Sequence, residues 1–410
     1  MGKLSMMNII FIGKFFPSNL LKTIKIDSKG KMGLSNHNFE LSIINGLCQQ
    51  KDIDLKCISC PGVYSYPQNN KKLFTRRESY DYRCTHIESA GFCNLRGLKE
   101  WNSAVSTARV LAKTAESFSG SVVNLIINTP DARLFNAVKI AEKKTSKRFT
   151  KTVIIPDIPA LVTAMDKQNP IKKLLLDKID RQVMESLSEC DGLVLLTEAM
   201  MDFVAKPIKH IVMEGLADVD SMDRTDVEAI TEKKVILYTG TLRAIFGVKN
   251  LVKAFRMIPD QDAELWICGG GDSEQFIKEA ALQDSRIRFF GLVDSKTALE
   301  LQHKATILVN PRTSEGEFTK YSFPSKTMEY LLAGRSVVAN KLPGIPDEYY
   351  QYIYTPSNES VKAFAECLSE VLHLEPKARD ARAAAGRNYV IEKKNSKVQM
   401  ARVIDLIKTY

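Results

Sequence analysis

The sequence predicts an α/β protein of two Rossmann-like domains, with parallel sheets facing each other across a cleft. Three observations carry that prediction. Short apolar runs of strand length recur between longer segments with helical spacing. The runs are rich in Ile, Val and Leu and do not alternate with polar residues, as strands buried on both faces require. The chain of 410 residues is also too long for one compact core. Strand–helix alternation on this scale is the mark of α/β domains.

The first series of runs is MNIIFIG, DLKCIS, SVVNLIIN, KTVIIPD, DGLVLLT and KHIVMEG. The second is KVILYTG, ELWICGG, RIRFFG, ATILVNP and RSVVANK. Between them lies GLADVDSMDRTDVEAITEKK, which is polar, acidic and free of apolar periodicity. It reads as a linker over 217–231, with an N-terminal domain over 1–216 and a second domain over 232–390. The last segment, 391–410, spaces Val398, Val403, Leu406 and Ile407 as one face of a helix. That helix is expected to return to the N-terminal domain. Internal repeats and low-complexity tracts are absent from the sequence.

Hydrophobic residues make up 44% and charged residues 26%, which excludes extended disorder. No uninterrupted apolar run is long enough to span a membrane. The start, MNIIFIG, ends at Gly13 like a buried strand rather than at a small-residue cleavage site, so a cytoplasmic protein is expected. Eight cysteines are scattered, and only Cys57 and Cys60 form a C-x-x-C pair. With no second pair and a strand-like context, they read as structural thiols of a reducing compartment. Charge is uneven. Residues 1–195 hold 29 Lys and Arg against 18 Asp and Glu, whereas the remainder is nearly balanced. A basic half is either a solvated Lys-rich surface or a domain working at an anionic membrane or acceptor. The segment NPIKKLLLDKIDRQVMESL, with Lys172 and Lys173, is read as a core-packed helix in preference to an interfacial one.

In open α/β sheets ligands bind beyond the carboxyl ends of the strands. In the second domain those ends carry Gly240, Thr241 and Arg243, then Gly271 and Asp272, then Gly291, Leu292 and Val293. After the ATILVNP strand come Arg312 and the loop SEGEFTKY. That loop leads to SFPSKTMEYLLAG, the most telling segment. Ser322 is a candidate cap, Pro324 suits a first helical turn and Gly334 suits a helix end. Free amides of Ser325, Lys326 and Thr327, with the Lys326 charge, would make an anion site at the helix start. Glu329 falls one turn further along the same face, where a carboxylate can accept both hydroxyls of a ribose. An ordinary helix start with a solvated Glu329 is the competing reading.

At these residues the chain resembles glycosyltransferase family 4 (group 1), whose members have the GT-B fold. The resemblance spans nearly the whole chain and is strongest from Val235 to Tyr349. The family's signature is a Glu, then Gly-Phe-Gly, with a second Glu eight positions after the first. Glu329 falls on the second Glu, Phe323 on the Phe and Gly334 on the later Gly. The resemblance implies that Glu329 binds ribose and that Ser325 and Lys326 bind the donor diphosphate with Gly33, Gly240, Thr241 and Thr327. It implies base recognition by the backbone at Gly291, Leu292 and Val293, with a UDP-sugar as first donor. Tyr321 stands where the sugar-contacting first Glu belongs, so Glu315 or Glu317 would replace it or sugar recognition differs. The family's usual Arg and Lys positions are Thr241 and Phe246, leaving Arg243 as the nearest cation. The chain thus looks like a subgroup with FPSK before the second Glu.

The N-terminal half resembles the family's acceptor domain, with Gly30 and Gly33 in the loop before SNHNFELSIINGL. Asn36 and His37 are candidate acceptor contacts, or a plain cap and a surface histidine. Asp157 falls near the position of a family His at the reacting centre, although a turn Asp explains it equally well. Arg243, Lys326 and Asp157 are therefore the candidate catalytic contacts. The resemblance implies transfer with retention from a nucleotide-sugar to a saccharide or lipid-linked acceptor in polysaccharide synthesis, with possible peripheral contact at the inner membrane face. No Asp-x-Asp is placed for a donor metal, since Asp218 and Asp220 lie in the linker. No metal, cofactor or nucleic acid is expected. The alternatives are a nucleotide-sugar epimerase of the same architecture and a non-catalytic binding subunit.

Overall fold

The computed structural model of the chain describes residues 6–28, 34–158, 170–217, 219 and 234–410. It divides into two compact units, residues 1–216 with 396–410 and residues 217–395. Gly30, Gly33, Asp218 and Asp220 lie outside the described residues.

Unit 1 is built on an eight-stranded sheet. Its strands are β1 (Met7–Gly13), β2 (Ile53–Ser59), β4 (Glu78–Tyr82), β5 (Thr85–Ser89), β7 (Val122–Asn128), β8 (Arg148–Ile155), β9 (Gly192–Leu195) and β10 (Lys209–Val212). Their order is β10-β9-β8-β7-β1-β2-β5-β4. All pairings are parallel except β4 with β5. Two short strands, β3 (Phe74–Thr75) and β6 (Phe92–Cys93), pair separately. The sheet is covered on both faces. Ile10, Ile12, Leu125 and Ile127 point into one core, while Ile9, Phe11 and Ile126 point into the other. This is the physical reason the strands lack a polar face. The β4–β5 hairpin escaped that pattern because its first strand alternates between half-buried and exposed positions.

The helix Pro170–Leu187 buries Val183 and Leu187 in the unit 1 core, with Ile179 and Met184 packed against it, while Leu174 is exposed. No helix among the described residues is long and apolar enough to cross a membrane. The terminal helix spans Ser396–Ile407 and packs Met400, Val403, Leu406 and Ile407 into unit 1. Residues 391–393 instead end the preceding helix, Pro376–Lys393, so the terminal helix starts later than periodicity predicted. Cys57 and Cys60 are buried free thiols, and burial pushes the Cys57 thiol up to about 12. Cys48 and Cys84, by contrast, form a disulfide that their sequence spacing did not announce. It ties the end of the helix Leu34–Cys48 to the β4–β5 turn.

Unit 2 holds a six-stranded sheet in the order β13-β12-β11-β14-β15-β16, parallel throughout. The strands are β11 (Lys234–Thr239), β12 (Ala263–Cys268), β13 (Ile287–Gly291), β14 (Ile307–Asn310), β15 (Ser336–Ala339) and β16 (Ile353–Tyr354). From β11 the chain winds outward to β13, then returns to β14 on the other side of β11. The strand order therefore reverses between β11 and β14, where open α/β sheets leave a crevice at their carboxyl ends.

Candidate donor site

That crevice in unit 2 is a pocket of about 240 Å³. The end of β11 lines it with Tyr238, Gly240 and Thr241, and the end of β14 with Val309, Asn310 and Arg312. Phe246, Pro324, Ser325, Lys326 and Tyr330 complete the wall. The pocket thus joins Gly240, Thr241, Ser325 and Lys326, which sequence reasoning had proposed together from separate segments.

The helix Ser325–Leu332 opens directly onto this pocket. Pro324 occupies its cap position in an extended conformation, and no side chain caps the helix. Ser322 is therefore not the expected cap. It accepts a hydrogen bond from Arg312 Nη2 at 2.9 Å and donates to the Phe318 carbonyl at 3.2 Å. The Thr327 amide is not free either, because it donates to the Pro324 carbonyl at 2.8 Å in a tight first turn. Ser325 is exposed and Lys326 half-buried, so the usable donors at this end narrow to those two residues. Gly334 ends the helix in the left-handed region at φ 68°, where a side chain would be strained.

Lys326 and Glu329 meet on one face. Lys326 Nζ lies 2.8 Å from both Glu329 carboxylate oxygens. Glu329 Oε1 also accepts from Gln302 Nε2 at 2.6 Å. Gln302 is buried and its amide reaches Thr239 Oγ1 at 3.2 Å, so the carboxylate is tethered to the end of β11. Tyr330, fully buried one residue on, accepts from the Thr239 amide at 2.9 Å. Burial raises the Tyr330 phenol well above its ordinary range, which keeps it neutral. The helix start is thereby fixed to the β11 terminus by hydrogen bonds from two elements. Sequence reasoning missed Gln302, because nothing in the helix Ser295–Lys304 marks one buried glutamine among polar residues.

Other expected residues are placed apart. Glu315 and Glu317 are exposed and line no part of the pocket, and Tyr321 is buried. Arg243 is half-buried beside Phe246, its guanidinium 6.0 Å from the ring centroid, and does not line the pocket. At the end of β13, the Gly291 carbonyl already accepts from the Gly269 amide at 2.7 Å. Leu292 is exposed beyond it and Val293 half-buried.

In unit 1 the strand order reverses between β1 and β7, and a cluster of ionisable groups lies at their ends. Glu40 is buried beneath the β1 end, where Oε1 accepts from the Lys14 amide at 3.0 Å and from Asn128 Nδ2 at 2.8 Å. Burial outweighs these bonds and pushes its carboxyl up to about 7. Asp131 caps the helix Ala132–Glu142 and pairs with Arg133 at 2.9 Å and Lys14 at 3.2 Å. Burial raises its carboxyl, but the Arg133 and Lys14 charges outweigh this and hold it well below the carboxylate range. His37, read as a candidate acceptor contact or a surface histidine, is not at the surface. Its ring is buried, and Nδ1 accepts from the Phe16 amide at 3.2 Å, so that nitrogen is committed to the fold. Asn36 is exposed, as is Asp157 beyond β8.

Residues 233–373 match the family model described as "Glycosyl transferases group 1". No curated protein sequence matches the chain. Among solved structures, sucrose-phosphate synthase from Thermosynechococcus elongatus aligns at a TM-score of 0.62 and 12% identity, covering 98% of this chain and 99% of that one. Anabaena Alr3699/HepE in complex with UDP aligns at 0.62 and 13% identity, covering 98% and 100%. The catalytic domain of starch synthase IV from Arabidopsis thaliana, bound to ADP and acarbose, aligns at 0.64 and 10% identity, covering 99% of each chain. At such identities these likenesses establish the GT-B fold. With the group 1 domain in unit 2, the chain is a GT-B glycosyltransferase.

Proposed function

We propose that the enzyme transfers a sugar, with retention of configuration, from a nucleotide diphosphate-sugar to a hydroxyl of a saccharide or lipid-linked saccharide, as a member of glycosyltransferase family 4. UDP-sugars are the first donors to try, since HepE is described in complex with UDP. ADP, with which starch synthase IV is described, is the control for the base.

One observation carries this reading: Lys326 and Glu329 share one face at a helix start that opens on the crevice between β11 and β14. A diphosphate at that end draws on the exposed Ser325 amide, the helix dipole and the Lys326 charge. Donor binding then exchanges partners. Lys326 turns from Glu329 to a phosphate, and the freed carboxylate, still held by Gln302, accepts the ribose hydroxyls. Chemistry follows from charge placement. Positive potential stabilises the departing diphosphate as the sugar becomes oxocarbenium-like. The acceptor hydroxyl attacks from the leaving group's face and its proton passes to the diphosphate, so no carboxylate nucleophile is needed.

The test is thermal shift with UDP-, ADP- and GDP-sugars, because a ligand bound only by the folded state raises the midpoint. One base should raise it, and Glu329→Ala should cut the rise at least by half. No rise with any nucleotide, or an unchanged rise in the variant, overturns the reading.

A further inference from the structure

Arg312 is a buried charge at the unit 2 pocket that the fold satisfies only in part. It is nine-tenths buried at the end of β14, with its guanidinium 4.6 Å from the Phe318 ring centroid and 5.6 Å from that of Phe246. Its backbone is clamped, since Asn340 Nδ2 donates to the Arg312 carbonyl at 3.0 Å. Of the guanidinium donors, Nη2 reaches Ser322 Oγ, while Nε is buried without a partner. No carboxylate among the described residues forms an ion pair with it. Asn310, two residues earlier and equally buried, has a side-chain Nδ2 that also lacks a partner. Both residues line the same pocket as Ser325 and Lys326.

An arginine that serves the fold can spend its donors on fixed acceptors. Arg286 does so, donating to the Ile258 and Asp260 carbonyls and pairing with Asp284 at 2.9 Å. Arg312 instead has two aromatic rings near its guanidinium, and cation–π contact does not consume its N–H donors. A buried, uncompensated cation costs several kcal/mol, of the order seen when one partner of a buried ion pair is removed. Burial, opposed in part by the Tyr238 phenol, pushes this guanidinium down to about 10, so it remains charged at neutral pH. An oxyanion in the pocket relieves that cost and gives the Asn310 amide an acceptor.

We propose that Arg312 and Asn310 form a preorganised oxyanion subsite that takes the distal phosphate of the donor diphosphate, in the same pocket as Ser325 and Lys326. This rests on the nucleotide-sugar reading above. Two sources of oxyanion exist in such a donor, a phosphate and the carboxylate of an acidic sugar. The phosphate is favoured because the same pocket wall carries the helix start. Arg312 then acts where leaving-group charge develops, and its planar fork matches two phosphate oxygens at once.

The experiment measures midpoint shifts with UDP and UMP, ADP and AMP, and GDP and GMP on the full chain, followed by titration of the responding pair. Arg312→Gln should weaken the responding diphosphate about tenfold or more and leave its monophosphate within twofold. Asn310→Asp, nearly isosteric, tests the site even if Arg312→Gln folds poorly. Its carboxylate puts a negative charge where the phosphate is to bind, in the same pocket, so it should weaken the diphosphate at least tenfold. Equal affinity of wild type and both variants for the diphosphate overturns the assignment. So does a loss seen only with UDP-glucuronate and not with UDP-glucose, which would move the anion to the sugar. If no diphosphate shifts the wild type, the donor reading itself falls and takes this assignment with it.

Discussion

Replacing Glu40 with Gln should remove Glu40's share of the pH dependence of unit 1 over a range where the wild type weakens. Glu40 is fully buried, and its carboxyl rises from an ordinary 4.5 to about 7 in the folded state. The unfolded chain ionises it near the ordinary value. Between those two values the folded protein holds a proton that the unfolded chain has lost, so stability falls as pH rises. The contribution is complete below about 4.5, is lost through about 7, and changes no further above that. A rise of that size corresponds to about 3 kcal/mol, because one pKa unit is worth roughly 1.4 kcal/mol. Hydrogen bonding points the same way. Glu40 Oε2 and Asn128 Oδ1 are both buried without a partner, whereas a protonated carboxyl beside an amide gives each group a donor and an acceptor. Glutamine reproduces that pattern at every pH. Urea unfolding of both proteins at pH 5, 6, 7 and 8, at fixed ionic strength, is the assay. The wild type minus variant difference should shift by about 3 kcal/mol against the wild type from low to high pH. A difference that stays flat would show that Glu40 is ionised in the fold, and the burial argument would fail.

Two further outcomes can be checked directly. Gln302→Leu removes the 2.6 Å bond to Glu329 and should cost about 1–2 kcal/mol of stability while cutting the nucleotide-induced midpoint shift; an unchanged shift would mean that Lys326 alone orients the carboxylate. Under non-reducing, denaturing conditions six of the eight cysteines should react with a thiol reagent, because Cys48 and Cys84 are paired. Reduction should then lower stability by up to roughly 4 kcal/mol for a loop of this length, and labelling of all eight without reductant would refute the pairing.

What the sequence made legible was whatever depends on local chemistry. Unbroken Ile and Val runs announced the central strands because a sheet covered on both faces leaves no polar side. Gly334 announced a helix end because few other residues accept its positive φ. Ser325 and Glu329 were legible as neighbours because their spacing puts them on one helix face, whereas the Lys326–Glu329 ion pair was not read. Ser322 was misread for a local reason too. The cap position went to Pro324, which has no side-chain acceptor, and left Ser322 outside the first turn, where Arg312 reaches it. The rest needed distance. Arg312 becomes a buried cation only when Phe246, Phe318 and Asn340 close around it from three other segments. Gln302 becomes a clamp only when its helix brings it to Thr239 and Glu329. His37 looked like a ligand because a free imidazole and one spent on the Phe16 amide read the same in sequence.

The two strand-order reversals sharpen the functional assignment by contrast. At the end of β1 in unit 1, Asp131 is answered within the fold by Arg133 and Lys14. Glu40 avoids the problem by staying neutral below about 7. At the end of β14 in unit 2 the balance differs, because Lys326 is matched by Glu329 but Arg312 has only a serine hydroxyl and two aromatic rings. Burying a cation without an anion opposes folding, and an anion arriving beside it offsets that cost. A ligand carrying two negative charges answers both needs at once: one phosphate releases Lys326 from Glu329, and the other compensates Arg312. A monophosphate can do only one of these, which is why the diphosphate-to-monophosphate affinity ratio, rather than either affinity alone, is the quantity that tests this view of the enzyme.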